Sequence, residues 1–347
     1  MSLGWAIIGT GQHPRRKMAP AIRRAADCEI VAVMSRDIGR AKQFSDEFTD
    51  GCAAPYVRLD DVLRDPRVDV VYVASPNALH ATHTLAAARA GKHVLCEKPM
   101  ALSLEDCERM IEGCDRAGVK LGVAFHLRNH PGILALRELI ASGGMGTLAL
   151  IQTTFARGTR GEVAPAPRTG LRDWWNDPEM VGAGAMVGTG VHCVDAIRFL
   201  TGHEIAQIVA LTDASAPARP LEQLAVVGLR LSDETLATVC ASRRLPDIRN
   251  DLVVCGSLGR ATLYDGLETS LTGRLEVVTS ELNIEREFES SDLGLYVPLV
   301  EMFNRWASNA MPEAFRERMA TGVDGMAAVQ ATLGMLECVK HGKVVAL

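Results

Sequence analysis

Aromatic residues are scarce in this chain. They make up 5% of its 347 residues, too few for the rows of stacked rings that grip single-stranded nucleic acid. An excess of positive charge is missing too: 37 Lys and Arg against 42 Asp and Glu give a net charge of −5. Such a balance offers no broad basic surface to a phosphate backbone, so no nucleic-acid partner is expected. The nine cysteines are odd in number and form no Cys-x-x-Cys pair. That excludes a disulfide framework and a zinc ribbon, and fits free thiols in a reducing compartment. No continuous apolar run reaches the ~18 residues that cross a bilayer. The first residues carry no basic region followed by an apolar stretch. A cytoplasmic protein without a membrane partner is therefore expected. Disorder is excluded by 48% hydrophobic and 23% charged residues. At roughly 150 residues per domain the length suggests two domains, with enough core to need no staples.

What is present is an alternation. Apolar runs at 5–8, 29–34, 68–74, 93–96 and 120–125 read as strands. Between them lie helical stretches at 19–26, 38–48 and 78–90, and a fourth that Ser103 caps and Gly118 ends. Strand and helix in turn imply βαβ units, hence an α/β fold with a doubly wound parallel sheet over 1–125. After residue 125 the rhythm changes. Following a helix at 133–142, β-like runs at 148–156, 205–211, 224–231, 236–242, 251–255 and 275–279 are separated by turns, not helices. With helices at 182–200, 298–309 and 324–341, this predicts an α+β domain with a largely antiparallel sheet over 126–347. The stretch 158–172 is rich in Gly, Pro and Arg without apolar period; it reads equally as a lid or as a surface insertion.

Gly9-Thr10-Gly11-Gln12-His13-Pro14 follows the first strand and precedes a helix. Gly9 permits a tight turn, and Gly11 lets backbone approach a pyrophosphate at the positive end of the helix. Pro14 replaces the usual third glycine and suits the first turn of a helix. In this context the motif predicts a dinucleotide site. The ribose is read roughly 20 residues further on. There, Ser35 and Arg36 stand where an NAD site has an acid, and Arg40 follows. A hydroxyl beside a guanidinium suits a 2′-phosphate, so NADP is expected as cofactor, with NAD the alternative. Arg15, Arg16 and Lys17 add positive charge beside the turn. The His80/His83 and His126/His130 pairs have no third ligand in sequence, so no metal is expected.

Three further segments carry a resemblance. Gly91-Lys92-His93-Val94-Leu95-Cys96-Glu97-Lys98-Pro99 contains an Glu-Lys-Pro signature. Ser75-Pro76-Asn77 with His80 follows the 68–74 strand, and Gly182-Ala183-Gly184 precedes His192-Cys193-Val194-Asp195. Together they resemble the glucose–fructose oxidoreductase, inositol dehydrogenase and rhizopine-catabolism family (Gfo/Idh/MocA). Within it, residues 85–100 and the His126-Leu127-Arg128-Asn129 segment are similar to 1,5-anhydro-D-fructose reductases. The resemblance implies a Rossmann domain followed by an α+β domain with an open sheet. It implies an NAD(P)-dependent enzyme acting on a hydroxyl or ketone of a sugar or cyclitol, and a homodimer or homotetramer joined through the open sheet. It also adds Ser75, Pro76, Asn77, His80, Glu97 and Lys98 to the cofactor side.

Hydride transfer at a carbon bearing oxygen needs a matched proton transfer. Lys98 follows a strand that ends where doubly wound sheets bind ligands. It is the expected acid–base or polarising group, with Glu97 orienting it. His192 is the second candidate, because imidazole titrates near neutrality. The resemblance places an Asp one turn before this His, where the chain has Gly188; Asp195, three residues after, is expected to orient the imidazole instead. His126, Arg128, Asn129 and Trp174, with His192, are the expected substrate contacts. The missing acid keeps open a non-catalytic, cofactor-binding regulator, and the family also holds cofactor-using glycosidases.

Overall fold

A computed structural model describes residues 2–162, 166–214 and 220–347. Part of the Gly-, Pro- and Arg-rich stretch, 163–165, lies outside the described residues. The chain divides into two compact units. The first holds residues 1–125, Gly170–Trp174 and Leu293–Met326; the second holds 126–169, Trp175–Asp292 and Ala327–Leu347. Two segments beyond the boundary at 125 thus pack in the first unit. The helix Tyr296–Ala307 explains one of them. It carries Phe303 against Trp5, with ring centroids 5.6 Å apart, and Asn304, whose Oδ1 accepts from the Trp5 indole N–H at 2.9 Å.

The first unit is built on six strands: β1 (Leu3–Ile8), β2 (Cys28–Met34), β3 (Ala54–Tyr56), β4 (Val70–Val73), β5 (His93–Cys96) and β6 (Leu121–Val123). They are parallel in the order β3-β2-β1-β4-β5-β6. Every residue of β4 is buried, as strands covered on both faces must be. Short β3 went without a strand expectation; it carries Pro55, which an edge position tolerates. The order reverses between β1 and β4, the switch point at which such sheets bind ligands beyond their carboxyl ends.

The second unit carries β7 (Leu148–Ala156), β8 (Ile205–Thr212), β9 (Leu224–Leu231), β10 (Leu236–Ser242), β11 (Leu252–Gly256), β12 (Gly259–Tyr264), β13 (Arg274–Thr279), β14 (Asn283–Glu287) and β15 (Val345–Ala346). Their order is β14-β13-β12-β11-β7-β10-β9-β8-β15. Among the described residues of this sheet, only β7 and β10 pair in parallel; the other pairs are antiparallel. Along β9, buried and exposed side chains alternate, as expected for a sheet with one covered face. The other face leaves Val209, Leu211, Val226 and Leu236 exposed. Leu211, Val226 and Cys240 line up across three strands.

The single helix expected over 182–200 is broken. A short helix, Pro178–Val181, ends at Gly182. A π-helical turn, Met186–Gly190, then leads into the helix Val191–Thr201. Glu222 explains the break. Its buried carboxylate accepts the N–H groups of Gly184 and Met186, both at 2.9 Å. A Cβ on Gly184 would lie 1.8 Å from the Glu222 carbonyl oxygen, so only glycine admits this approach. The helical run Pro178–Thr201 is long and apolar enough to cross a membrane by length and composition, yet 83% of that window is buried in the fold.

Candidate active site

The glycine turn forms where β1 ends. Gly9 has φ +109°, and a Cβ there would meet the Ala74 carbonyl oxygen at 2.5 Å. Glycine is therefore required by the neighbouring strand end as well as by the turn. Gly11 differs: a Cβ there would meet only Pro14 Cδ, at 4.0 Å. Its space is open, as a close-approaching pyrophosphate needs. Helix begins at Gln12, which puts Pro14 in the first turn, where its missing N–H costs nothing. Thr10 is buried, and Gln12 is exposed and accepts from Arg172 at 3.2 Å.

At the tip of β2, Ser35 is buried and Arg36 exposed. The one nearby acid, Asp37, caps the following helix by accepting the Arg40 N–H at 2.8 Å. The Arg40 side chain stands 3.7 Å from the same carboxylate. Arg15 does not join this anion site. It pairs with Glu47 and lies over the Phe44 ring, 5.2 Å from its centroid. With an open Gly11, a helix start and a β2 tip free of an uncommitted acid, the residues present fit an NAD(P) dinucleotide.

Beyond β4 and β5 the signature residues interlock. Tyr72 of β4 donates its hydroxyl to Glu97 Oε1 at 2.7 Å, and the Lys98 N–H donates to Glu97 Oε2 at 3.3 Å. His13, from the glycine turn, places Nε2 3.2 Å from Glu97 Oε1. Burial alone would raise the Glu97 pKa. His13, Lys98 and Tyr72 outweigh it and bring it down to about 2. The carboxylate is thus ionised throughout the neutral range. Lys98 is half-buried, and its peptide bond to Pro99 is cis.

His80 corrects an expectation. Assigned to the cofactor from sequence, it is buried with Nδ1 2.8 Å from the Pro99 carbonyl and Nε2 2.9 Å from the Ser75 carbonyl. Both ring nitrogens are taken up by backbone, so His80 ties the loop after β4 to the loop after β5. Burial lowers its pKa, with the two backbone contacts opposing. Ser75 Oγ meets His83 Nδ1 at 2.9 Å; Asn77 is buried and Pro76 half-buried.

In the second unit, His126 and His192 come together. Both are buried, with ring centroids 4.6 Å apart at 73°, and Phe155 lies 5.8 Å from His192. His126 Nε2 stands 3.0 Å from the Glu268 carbonyl oxygen. Asp195 pairs with Arg128. Arg128 donates to its two carboxylate oxygens at 3.1, 3.0 and 2.6 Å, with the side chains only 4% and 1% exposed. Asp195 was expected to orient His192, and Arg128 to meet substrate. The bidentate, deeply buried pair of these two residues braces the His126–Asn129 turn against the His192 helix. Asn129 is buried, and neither amide atom has a hydrogen-bond partner. A buried amide in that state is what a ligand or water satisfies. At Gly188, a Cβ would meet only Arg243 Cδ, at 4.0 Å. Trp174 is half-buried and belongs to the first unit. Among the described residues, no group of three or more His, Cys, Asp or Glu is arranged to hold a metal.

No motif or spacing marks Tyr72 and Tyr296 as site neighbours. Tyr296 packs its ring edge-on to His13 at 5.6 Å, although it lies far along the chain. Comparison with known proteins agrees with the fold and the motifs. Residues 3–125 match the GFO_IDH_MocA oxidoreductase family, NAD-binding Rossmann fold, and residues 133–262 match the GFO/IDH/MocA C-terminal domain. The chain is 34% identical to a 1,5-anhydro-D-fructose reductase of Ensifer adhaerens over 67% of each chain. It is 34% identical to D-xylose 1-dehydrogenase (NADP(+)) 2 of Haloferax volcanii over 57% of each. An aldose–aldose oxidoreductase of Caulobacter crescentus superposes with a TM-score of 0.85 over 100% of both chains at 23% identity, a likeness of fold. The glycine turn, the Glu-Lys-Pro loop and the sheet that follows therefore have one source: this chain is a member of the Gfo/Idh/MocA oxidoreductase family.

Proposed function

We propose that the chain interconverts a hydroxyl and a ketone on a sugar, anhydrosugar or cyclitol, with NADP(H) as the preferred cofactor. The observation that carries this reading is the gathering of Gly11, Ser35 with Arg36, and Lys98 at the carboxyl ends of β1, β2 and β5. Gly9–His13 and the Ser75–Asn77 loop would hold the dinucleotide, and Ser35, Arg36 and Arg40 its 2′-phosphate. When bound, the nicotinamide supplies or receives hydride. The chain's part is the matched proton. Lys98 donates it to, or takes it from, the reacting oxygen, and its charge polarises a carbonyl. Glu97 holds the Lys98 backbone. His126, His192 and Asn129 are the polar groups for substrate hydroxyls. Asp195 and Arg128 stay outside the chemistry. Trp174 offers an apolar wall.

Relatives support the substrate class by their names, a 1,5-anhydro-D-fructose reductase and an NADP(+)-dependent D-xylose dehydrogenase. The exposed apolar row Leu211–Val226 supports assembly through the open sheet, as a homodimer or homotetramer. The test is turnover by the purified enzyme over ketoses, anhydroketoses, aldoses and cyclitols with NADPH or NADP, followed at the nicotinamide absorbance. Turnover of at least one panel member, faster with NADP(H) than NAD(H), is expected. Gly188 favours a second reading, a cofactor-binding regulator without catalysis. That reading gains if cofactor binds and no panel member reacts.

A further inference from the structure

We propose that His13 is a positioning residue: its contact with Glu97, Nε2 to Oε1 at 3.2 Å, couples the glycine turn that takes the cofactor's pyrophosphate to the loop that carries Lys98. This rests on the reading of Lys98 as the proton-handling group. The geometry is specific. One carboxylate, 12% exposed, receives Tyr72 and His13 on Oε1 and the Lys98 N–H on Oε2. These donors come from β4, from the start of the first helix and from the loop after β5. Of the three, His13 is the one whose position depends on the turn that a dinucleotide would occupy. Its ring is fixed on the other side by Tyr296, whose own ring lies 5.7 Å from Lys17 Nζ. The loop after β5 is anchored separately through Pro99 and His80. Glu97 is therefore the member of that loop that can sense the turn.

A largely buried carboxylate deprived of a hydrogen-bond donor is costly, and it relaxes by shifting or by taking up a proton. Either response moves the acceptor that fixes the Lys98 backbone. A dinucleotide that orders residues 11–13 thus also orders Lys98, with no contact between pyrophosphate and lysine required.

The experiment is a double-mutant cycle of His13→Ala and Glu97→Gln, with His13→Gln as the variant that keeps a hydrogen-bond donor. Cofactor affinity is read separately by NADPH fluorescence, and thermal unfolding controls for folding. His13→Ala is expected to lower kcat about tenfold at saturating cofactor, with sugar KM changed less than about twofold. His13→Gln should recover most of the loss and also serves if His13→Ala folds poorly. In the Glu97→Gln background, His13→Ala should add little, because the two residues act as one unit. Full additivity, or a change confined to cofactor affinity with kcat intact, overturns the coupling. Lys98→Met separates the two ideas. If Lys98→Met is inactive and His13→Ala keeps full kcat, only the coupling fails. If Lys98→Met turns over normally, the reading of Lys98 fails beneath it.

Discussion

In the first unit the carboxylate of Glu97 collects donors from three stretches of chain, whereas in the second unit the carboxylate of Asp195 holds a bidentate pair with Arg128. Both acids are deeply set, and both stand beside a residue with acid–base chemistry, Lys98 in one and His192 in the other. The difference lies in what their partners can do. Tyr72, His13 and the Lys98 N–H come from β4, the glycine turn and the loop after β5, so a ligand in the turn bears on Glu97 through His13. Arg128 and Asp195 form a bidentate pair, with Arg128 further covered by the Phe199 ring at 4.9 Å. A buried acid next to a reactive group is thus a functional clue only when its partners themselves reach the site.

The largest effect that tests this contrast comes from exchanging the two sites' failures. Lys98→Met should cost about 10²–10⁴-fold in kcat while shifting stability by no more than about 1 kcal/mol. Asp195→Asn should do the opposite. Leaving Arg128 buried without its counter-ion destabilises by about 3–5 kcal/mol, while the protein that remains folded keeps its kcat. The paired change Arg128→Met with Asp195→Leu should recover most of that stability, since well-packed apolar replacements of a buried pair are often neutral. Denaturant titration beside steady-state kinetics reads both. An Asp195→Asn enzyme that is stable but slow would return Asp195 to the mechanism and dissolve the contrast.

The same contrast marks how far the sequence carries. Strands buried on both faces leave unbroken apolar runs, so β1, β2, β4 and β5 are legible as text, and β5 begins and ends where its run does. β14, Asn-Ile-Glu-Arg-Glu with every residue exposed, leaves no alternation to read. The glycine turn and Lys98 are legible because their chemistry is local to a strand end. Asp195 shows the limit: spacing along a helix points it to His192, and nothing in the text announces Arg128, 67 residues away, as its bidentate partner. His80 misled similarly: its motif is real, but the carbonyls of Ser75 and Pro99 take both nitrogens. The break before His192 depends on Glu222, a residue of a distant loop that no helical period reveals.

Acid sharpens the comparison further. In the second unit His130 is fully buried, accepts the Gly132 N–H on Nδ1 at 3.0 Å and so donates from Nε2 to the Thr272 carbonyl at 2.8 Å. Burial holds its pKa down at about 4, the Thr272 bond opposing only in part. The folded value lies below the ~6.5 of an unfolded histidine. The unfolded chain therefore binds the proton first, and stability is complete above pH ~6.5 and drains as pH falls toward about 4. Between pH 7.5 and 5 the loss should be about 2 kcal/mol. His83 in the first unit, also lowered to about 4, adds in the same direction but is only partly buried. Glu97, held near 2, contributes stability that begins to fade only below pH ~4.5. Urea titrations at the two pH values should show a flatter response in His130→Gln than in wild type. An unchanged slope would mean the ring is not held neutral.

The smallest effect concerns the exposed end of the first unit. Arg36 is solvent-exposed, and the acid beside it, Asp37, is occupied in capping the next helix. Removing the guanidinium therefore breaks no buried pair, and Arg36→Ala should leave the unfolding midpoint within about 0.5 kcal/mol of wild type. If Arg36 grips a 2′-phosphate, one charge-assisted contact is lost, and the ratio of kcat/KM for NADPH over NADH should fall about tenfold. The loss should appear in KM for NADPH, with kcat held, because the phosphate is bound alike before and during hydride transfer. Raising salt should weaken NADPH binding in wild type more than in the variant, since an exposed charge pair is screened. A ratio that does not move would make Arg36 a solvated residue and shift the specificity to Ser35 and Arg40. Cofactor choice would then rest, like the Glu97 network, on side chains held by the fold.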